Sequence, residues 1–364
     1  MLTTRFLHRT LQVGLLAFAT GAAAHSDDSK DVLYAANNGI DSATCGARSS
    51  PCRSINQTIA NASAGALIIV GPGVYGDLNR DGDLTEENPD PACRCVFDIN
   101  KRVTIISREG AQQTVLDVGP VQRDYAVRID ATGAVFGREL RGFTVIGRGL
   151  QPLGFAGIRI EFADRVTVMG NTVAVDDHTN GIWIVDGTGH LIAGNISAHN
   201  ANGIAVNTGG NRIRGNYTYD NALRGIVVEG ESNLIEFNTS TGNDVGIRLL
   251  GPGHVAVGNS VLGNRSAGFF LDISSISGVP HDVRLTRNNI YGNGVVPDVA
   301  SSRLNCGLSI ANASGPIDAR HNYWGTAEGP GADPADEVCN STRPAIAELV
   351  RPFAKTEFRI PNFW

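Results

Sequence analysis

From Gly157 onward the chain repeats one short pattern: a glycine, an apolar run with every second position aliphatic, a polar turn, and a second short apolar run ending at asparagine. The glycines that open these runs are Gly157, Gly181, Gly203, Gly225, Gly246 and Gly268, spaced by 24, 22, 22, 21 and 22 residues. Asn171, Asn195, Asn216, Asn238 and Asn259 keep a second register, with spacings of 24, 21, 22 and 21. Two registers sharing one period mark a repeat architecture in which each unit stacks on its neighbours. Alternation with period two makes the runs strands, with Ile182, Ile204, Ile226 and Ile247 turned inward and the next residue outward. Stacked coils then form parallel sheets around an aliphatic interior. The recurring asparagine suits a left-handed turn position, its amide bonding to the coils above and below. N-x-S/T matches such as Asn195 and Asn216 fall on this ladder and read as structural positions, not glycan acceptors.

A solenoid must cover its open ends. Ser54 to Ala62 reads as a short amphipathic helix with Ile55 and Ile59 on one face, followed by a strand from Leu67 to Val70. At the other end Asn322-Tyr323-Trp324-Gly325 and Gly329-Pro330 break the repeat, and the aromatics there are expected to plug the last coil. The expected organisation is a leader at 1–24, a cap region at 25–64, coils over 65–340 with an acidic insertion at 76–95, and a tail at 341–364.

The segments Tyr34 through Asn38-Gly39, Cys52-Arg53-Ser54-Ile55, Gly71-Pro72-Gly73-Val74-Tyr75, the coils and the closing Asn-Tyr-Trp-Gly resemble the right-handed parallel β-helix, pectate-lyase-like superfamily. The resemblance covers nearly all of the chain after the leader and implies an all-β solenoid. It also implies a frequent association with polysaccharides, above all uronic-acid polymers, in a group that includes non-catalytic members.

Composition narrows the setting. Arg5, His8 and Arg9 precede an apolar run from Leu11 to Ala19 and then Ala22, Ala23 and Ala24, the order of a cleavable secretory leader with a mature start near His25. No later apolar stretch approaches the roughly 18 residues of a membrane span, so a secreted or periplasmic, soluble and monomeric protein is expected. In an exported chain the six cysteines favour disulfides over a zinc site. Cys45 with Cys52 and Cys306 with Cys339 would close the two ends, while Cys93 and Cys95 pair with each other or elsewhere. The net charge of −6, from 30 basic and 36 acidic residues with no basic run after the leader, argues against nucleic acid as a partner.

Three groups of residues could carry chemistry. Asp77, Asn79, Asp81 and Asp83 alternate around Gly82 and resemble the first half of an EF-hand or dockerin loop, which predicts a structural calcium ion. Position twelve of that pattern is Asn88 in place of a bidentate acid. The outward column Arg159, Trp183, Ala205, Val227, Arg248 and Phe270, beside Glu161, Val185, Asn207, Glu229, Leu250 and Asp272, offers stacking faces, cations and acceptors suited to a glycan. Trp183, Glu161, Asn207, Glu229, Phe270 and Asp272 are the expected binding residues. Asp177 and His199 each precede a repeat glycine by four residues, which predicts neighbours able to share acid/base work, with Arg159 or Arg248 neutralising a uronate carboxylate.

Asp176-x-His178 resembles a fragment of the alginate C5-epimerase signature without its preceding Tyr-Gly or its following acidic residue. The paired Asp followed by His is similar to polygalacturonase order, without that family's Asn-Thr-Asp, Gly-His-Gly and Arg-Ile-Lys elements. His190, His254 and His281 read as surface turn residues. No P-loop, nucleophile elbow or dinucleotide fingerprint is present. The expected function is recognition of an extended polysaccharide, with uronate lyase or epimerase chemistry more in keeping than hydrolysis. The competing expectation is a non-catalytic envelope or adhesion protein using the same face.

Overall fold

The strand-opening glycines sit where two coils come too close for a side chain. A Cβ on Gly181 would lie 2.1 Å from Ser197 Oγ and 2.6 Å from the carbonyl of Gly203. With the chain pinned there, the flanking β-branched residues fill the interior. Ile182, Ile204, Ile226 and Ile247 are fully buried, as the alternation predicts. A computed structural model describes residues 31–76, 93, 95–119, 124–147, 156–273, 278–294, 305–311, 315–339 and 346–363.

Each coil contributes one strand to each of three parallel sheets. A representative turn runs through Leu191–Ala193 in the first sheet, Ile196–Ala198 in the second and Asn202–Val206 in the third, then returns to the first at Arg212–Arg214. Among the described residues the three sheets have 11, 9 and 10 strands in sequential order. The architecture is the right-handed parallel β-helix, one continuous apolar core running from Ala35 and Ile55 to Trp324 and Val350.

The helix forms at Ile55–Asn61, capped by Ser54, whose Oγ accepts from the Gln57 N–H. Asn56 donates to the Val96 carbonyl at 2.7 Å and accepts from the Asp98 N–H at 2.9 Å, so its amide continues the edge of the third sheet where a strand would otherwise pair. At the far end Trp324 is fully buried. The disulfides are Cys45–Cys52, Cys93–Cys95 and Cys306–Cys339. The cysteines are therefore not zinc ligands, and three disulfides suit an oxidising compartment. Among the described residues no helix is long and apolar enough to cross a membrane.

The asparagine register becomes a hydrogen-bonded ladder at the bend between the first two sheets. Each N–H and Nδ2 from Asn171 through Asn195, Asn216, Asn238, Asn259 and Asn288 donates to the Oδ1 of the next rung, ending at Asn322. The left-handed residue is not the asparagine, as the sequence suggested, but the one before it: Gly170, Gly194, Gly215 and Gly258, with Phe237, Arg287 and His321 in the other coils. Placing the strain one residue earlier leaves the asparagine free to aim its amide inward.

Two further ladders occupy the other bends. Asn200, Asn221, Asn243, Asn264 and Asn293 are linked in the same way and end on the carboxylate of Asp336. The third runs His190, Asn211, Asn233, His254, and it corrects the reading of two histidines as surface residues: His190 and His254 are 1% and 0% exposed. Each Nδ1 accepts a backbone N–H, from Val166 and Asn233 respectively, and each Nε2 faces a carbonyl, of Asp186 and Leu250. His281, beside Asp282, lies at the surface as expected.

The final segment folds back along the outside of the coils. The Asn289 side chain brackets Phe358, accepting from its N–H and donating to its carbonyl at 2.9 Å each, while the Tyr291 hydroxyl donates to Glu357. Phe363 reaches Gly194 and Gly215.

Candidate functional site

On the outer face of the third sheet the strand register stacks Asp98, Arg128, Arg159, Trp183, Ala205, Val227, Arg248, Phe270 and Ser309 in one column. The predicted column from Arg159 to Phe270 is thus reproduced, and Asp98 and Arg128 extend it. The neighbouring column contains the paired Leu250 and Asp272, with Leu250 buried. Asn207 and Glu229 are half-buried at the strand ends of their coils, where their N–H groups donate to Ile184 and Val206.

The charges of this face largely satisfy one another. The Arg159 guanidinium lies between the rings of Tyr125 and Trp183, 4.6 and 4.7 Å from their centroids, and its Nε donates to Glu161 at 2.7 Å. Arg128 pairs with Asp130 at 2.5 Å and lies 3.2 Å from Asp98. Burial alone would lower its pKa, but Asp98, Asp130 and Glu161 outweigh burial and raise it. Arg248 pairs with Asp272 at 2.5 Å and lies over Phe270 at 5.4 Å. Arg159 and Arg248, expected to meet a substrate carboxylate, are already engaged by carboxylates of the protein.

Among the described residues of this face the cation left available is Arg224, which the sequence reading passed over. It stands between Asn202 and Val245 in the register, and among the described residues its guanidinium has no ion pair or hydrogen bond. Burial and the like charge of Arg248 lower its pKa, only partly offset by Asp244, Asp272 and Glu229. Next to it, Asn202 donates to Asn180 Oδ1 at 2.8 Å while its own Oδ1 is buried without a partner. A signal for this group existed in the sequence. The residue before the repeat glycine is polar in three successive coils, Asn180, Asn202 and Arg224, and apolar in the next two, Val245 and Ala267.

Asp177 and His199 are not brought together by register. The Val175 N–H bonds to Asn200 Oδ1, so Val175 stands where Asn200 stands one coil later, and Asp176 to His178 are extra residues in the bend. No hydrogen bond or ion pair joins Asp177 to His199. His178 instead closes on Asp176, Nδ1 to Oδ1 2.9 Å. The register partner of His199 is Asp220, since Ala198 pairs with Tyr219 and Asn200 with Asn221. His199 and Asp220 are both left-handed, with φ of 56° and 49°, at a bend position that Gly242, Gly263 and Gly292 fill later. Tyr219 meets the His199 ring edge-on at 5.7 Å. Asp77, Asn79, Asp81 and Asp83 lie outside the described residues.

Residues 156–323 match the family model described as the right handed beta helix region. No curated protein matches the chain in sequence. Among solved structures, a rhamnogalacturonan lyase is 13% identical, with 90% of this chain and 89% of that chain covered at a TM-score of 0.59. The pectate lyase Pel9A is 16% identical, with 87% and 79% covered at a TM-score of 0.56. Likeness at such identity is likeness of fold. The chain is a right-handed parallel β-helix protein, and its fold is the pectate-lyase-like one.

Proposed function

We propose that this protein is exported and binds an extended acidic polysaccharide across the outer face of its third sheet. The observation that carries the reading is the half-buried guanidinium of Arg224, without an ion pair among the described residues, beside the partnerless side-chain carbonyl of Asn202 and two coils from Trp183. Coils about 4.8 Å apart place Trp183 and Arg224 roughly 10 Å apart along the axis. That spacing suits a chain that lays one sugar ring on the indole and presents a carboxylate to the guanidinium further along. The shared fold with a pectate lyase and a rhamnogalacturonan lyase supports a carbohydrate ligand.

Chemistry on that ligand would be removal of the proton next to the uronate carboxylate, with Arg224 neutralising the charge that develops and His199, on the bend leading into the Asn202–Val206 strand, as the proton acceptor. A second reading, binding without turnover, is favoured by the ion pairing of Arg128, Arg159 and Arg248 with carboxylates of the protein. The leader at 1–24 and a structural calcium ion at Asp77, Asn79, Asp81 and Asp83 belong to this proposal. The residue types at 77–83 offer the oxygen ligands calcium takes.

The test is a panel of pectate, alginate and neutral glycans, read by retained binding, by ultraviolet absorbance of unsaturated ends and by NMR for epimerisation. Trp183→Ala and Arg224→Gln should each weaken binding of the acidic polymer at least tenfold. Equal retention of neutral and acidic glycans by the wild type would overturn the acidic assignment. Turnover unchanged in His199→Ala would remove that residue from the chemistry.

A further inference from the structure

Phe363 of the returning C-terminal segment and the outer face of the first sheet line an open-sided cavity of about 300 Å³. Its floor comes from three successive coils. Met169, Ala193 and Arg214 are register partners in one column, and Leu191 and Arg212 are partners in the other. Ala193 is the small residue between two long ones, which leaves a trough. Phe363 and Glu139 complete the lining.

The polar wall is asymmetric. Arg212 Nε and Arg214 Nη1 both donate to a single oxygen, Oε1 of Glu236, at 2.5 and 2.8 Å. Arg214 lies over the rings of both Phe237 and Phe363, 5.0 and 5.2 Å from their centroids, and the two rings are themselves 6.5 Å apart. Two guanidiniums with ten N–H donors therefore share one carboxylate whose side chain is only 9% exposed, while those of Arg212 and Arg214 are 49% and 33% exposed. The wall keeps a surplus positive charge and spare donors, facing a thioether, a leucine and a phenyl ring. A cavity of this size with apolar walls and a few convergent polar groups is the usual form of a small-molecule site.

The geometry points to a binding site for a small ring-bearing carboxylate. Its carboxylate meets Arg212 and Arg214, its ring lies against Phe363, Met169 and Leu191, and a hydroxyl on the far side donates to Glu139. Glu139 would repel a second negative charge there, which makes the preferred ligand a monoanion. The site is separate from the third sheet, so its fate does not depend on the polysaccharide reading.

The experiment is calorimetric titration of the mature chain with benzoate, 4-hydroxybenzoate, benzamide and acetate. Benzoate should bind at least tenfold tighter than benzamide, which lacks the charge, and than acetate, which lacks the ring. 4-Hydroxybenzoate should bind tighter than benzoate, and Glu139→Gln should erase that preference. Arg214→Gln leaves Glu236 with one partner, so the paired variant Arg214→Gln/Glu236→Gln serves as the fold-safe version. It and Phe363→Ala should each weaken benzoate at least tenfold while leaving far-ultraviolet dichroism unchanged. No saturable benzoate binding at millimolar concentration, benzamide binding equal to benzoate, or benzoate affinity unaltered in folded variants would each overturn the site.

Discussion

At the scale of the residue, the most informative positions are the members of the ladders that are not asparagine. His190 and His254 use both ring nitrogens as the neutral form, one accepting an N–H and one facing a carbonyl. Burial lowers both pKa values despite Asp164 and Asp186 near His190 and Glu231 near His254. A depressed folded pKa means stability that is full above about 6.5 and lost as pH falls through the folded value. His190→Asn/His254→Asn restores asparagine's acceptor and should flatten that acid limb in urea denaturation measured from pH 7 to pH 4.

Asp336 has the opposite sign. Burial pushes its carboxyl up to about 6, although Asn293 and Gly292 donate to it. The folded state then holds the proton longer, so this group's contribution falls as pH rises from the ordinary carboxylate value to about 6 and is level above. That fall amounts to about 3 kcal/mol at most. Asp336→Asn keeps the acceptor and should raise stability at pH 7 relative to pH 4, compared with the wild type; an unchanged difference would show that Asp336 does not titrate in this window.

At the scale of the element, what was legible in the sequence is what each coil demands of the identical coil beside it. Gly181 is dictated by Ser197 and Gly203, Ile182 by the core, Asn195 by Asn216, and these constraints recur each turn and so appear as a period. The pairing of Arg159 with Glu161 was readable too, since residues two apart on a strand share a face. The extra Asp176-Asp177-His178 was not. Counting back from a glycine conceals an insertion that only the Val175 to Asn200 bond reveals. The availability of Arg224 depends on which of several arginines the carboxylates take, and spacing does not record that choice. At this scale Asn238→Ala should be costly. It strips Asn216 of its Oδ1 acceptor and Ile213 and Asn259 of donors, all in buried surroundings. Orphaned groups cost about 1–3 kcal/mol each, so a loss of roughly 3 kcal/mol is expected by chemical denaturation.

At the scale of the whole molecule, a stack whose coils touch only their neighbours would fray from its ends. The returning segment ties distant coils together, from Asn322, whose carbonyl accepts from Ala354, through Asn289 to Gly215 and Gly194. Asn289→Ala should release it, and hydrogen exchange should then quicken at Gly194 and Gly215, some 70 to 100 residues away in sequence. Protection unchanged there would show that the segment does not brace the coils.

The ladders also give the rod a direction. Every rung presents an acceptor toward the earlier coil and donors toward the later one, so the side-chain dipoles of each bend add along the axis instead of cancelling. The late end of one such row is closed by a carboxylate, Asp336, the group that needs no further acceptor. The coils are therefore interchangeable in shape but not in orientation. A copied turn such as 195–215, spliced in after Gly215, would meet matching donors from the earlier coil and a matching acceptor on the later one, whereas the same turn added past the final rung would face a carboxylate with no proton to give. The molecule can lengthen from within its row but not beyond its last member.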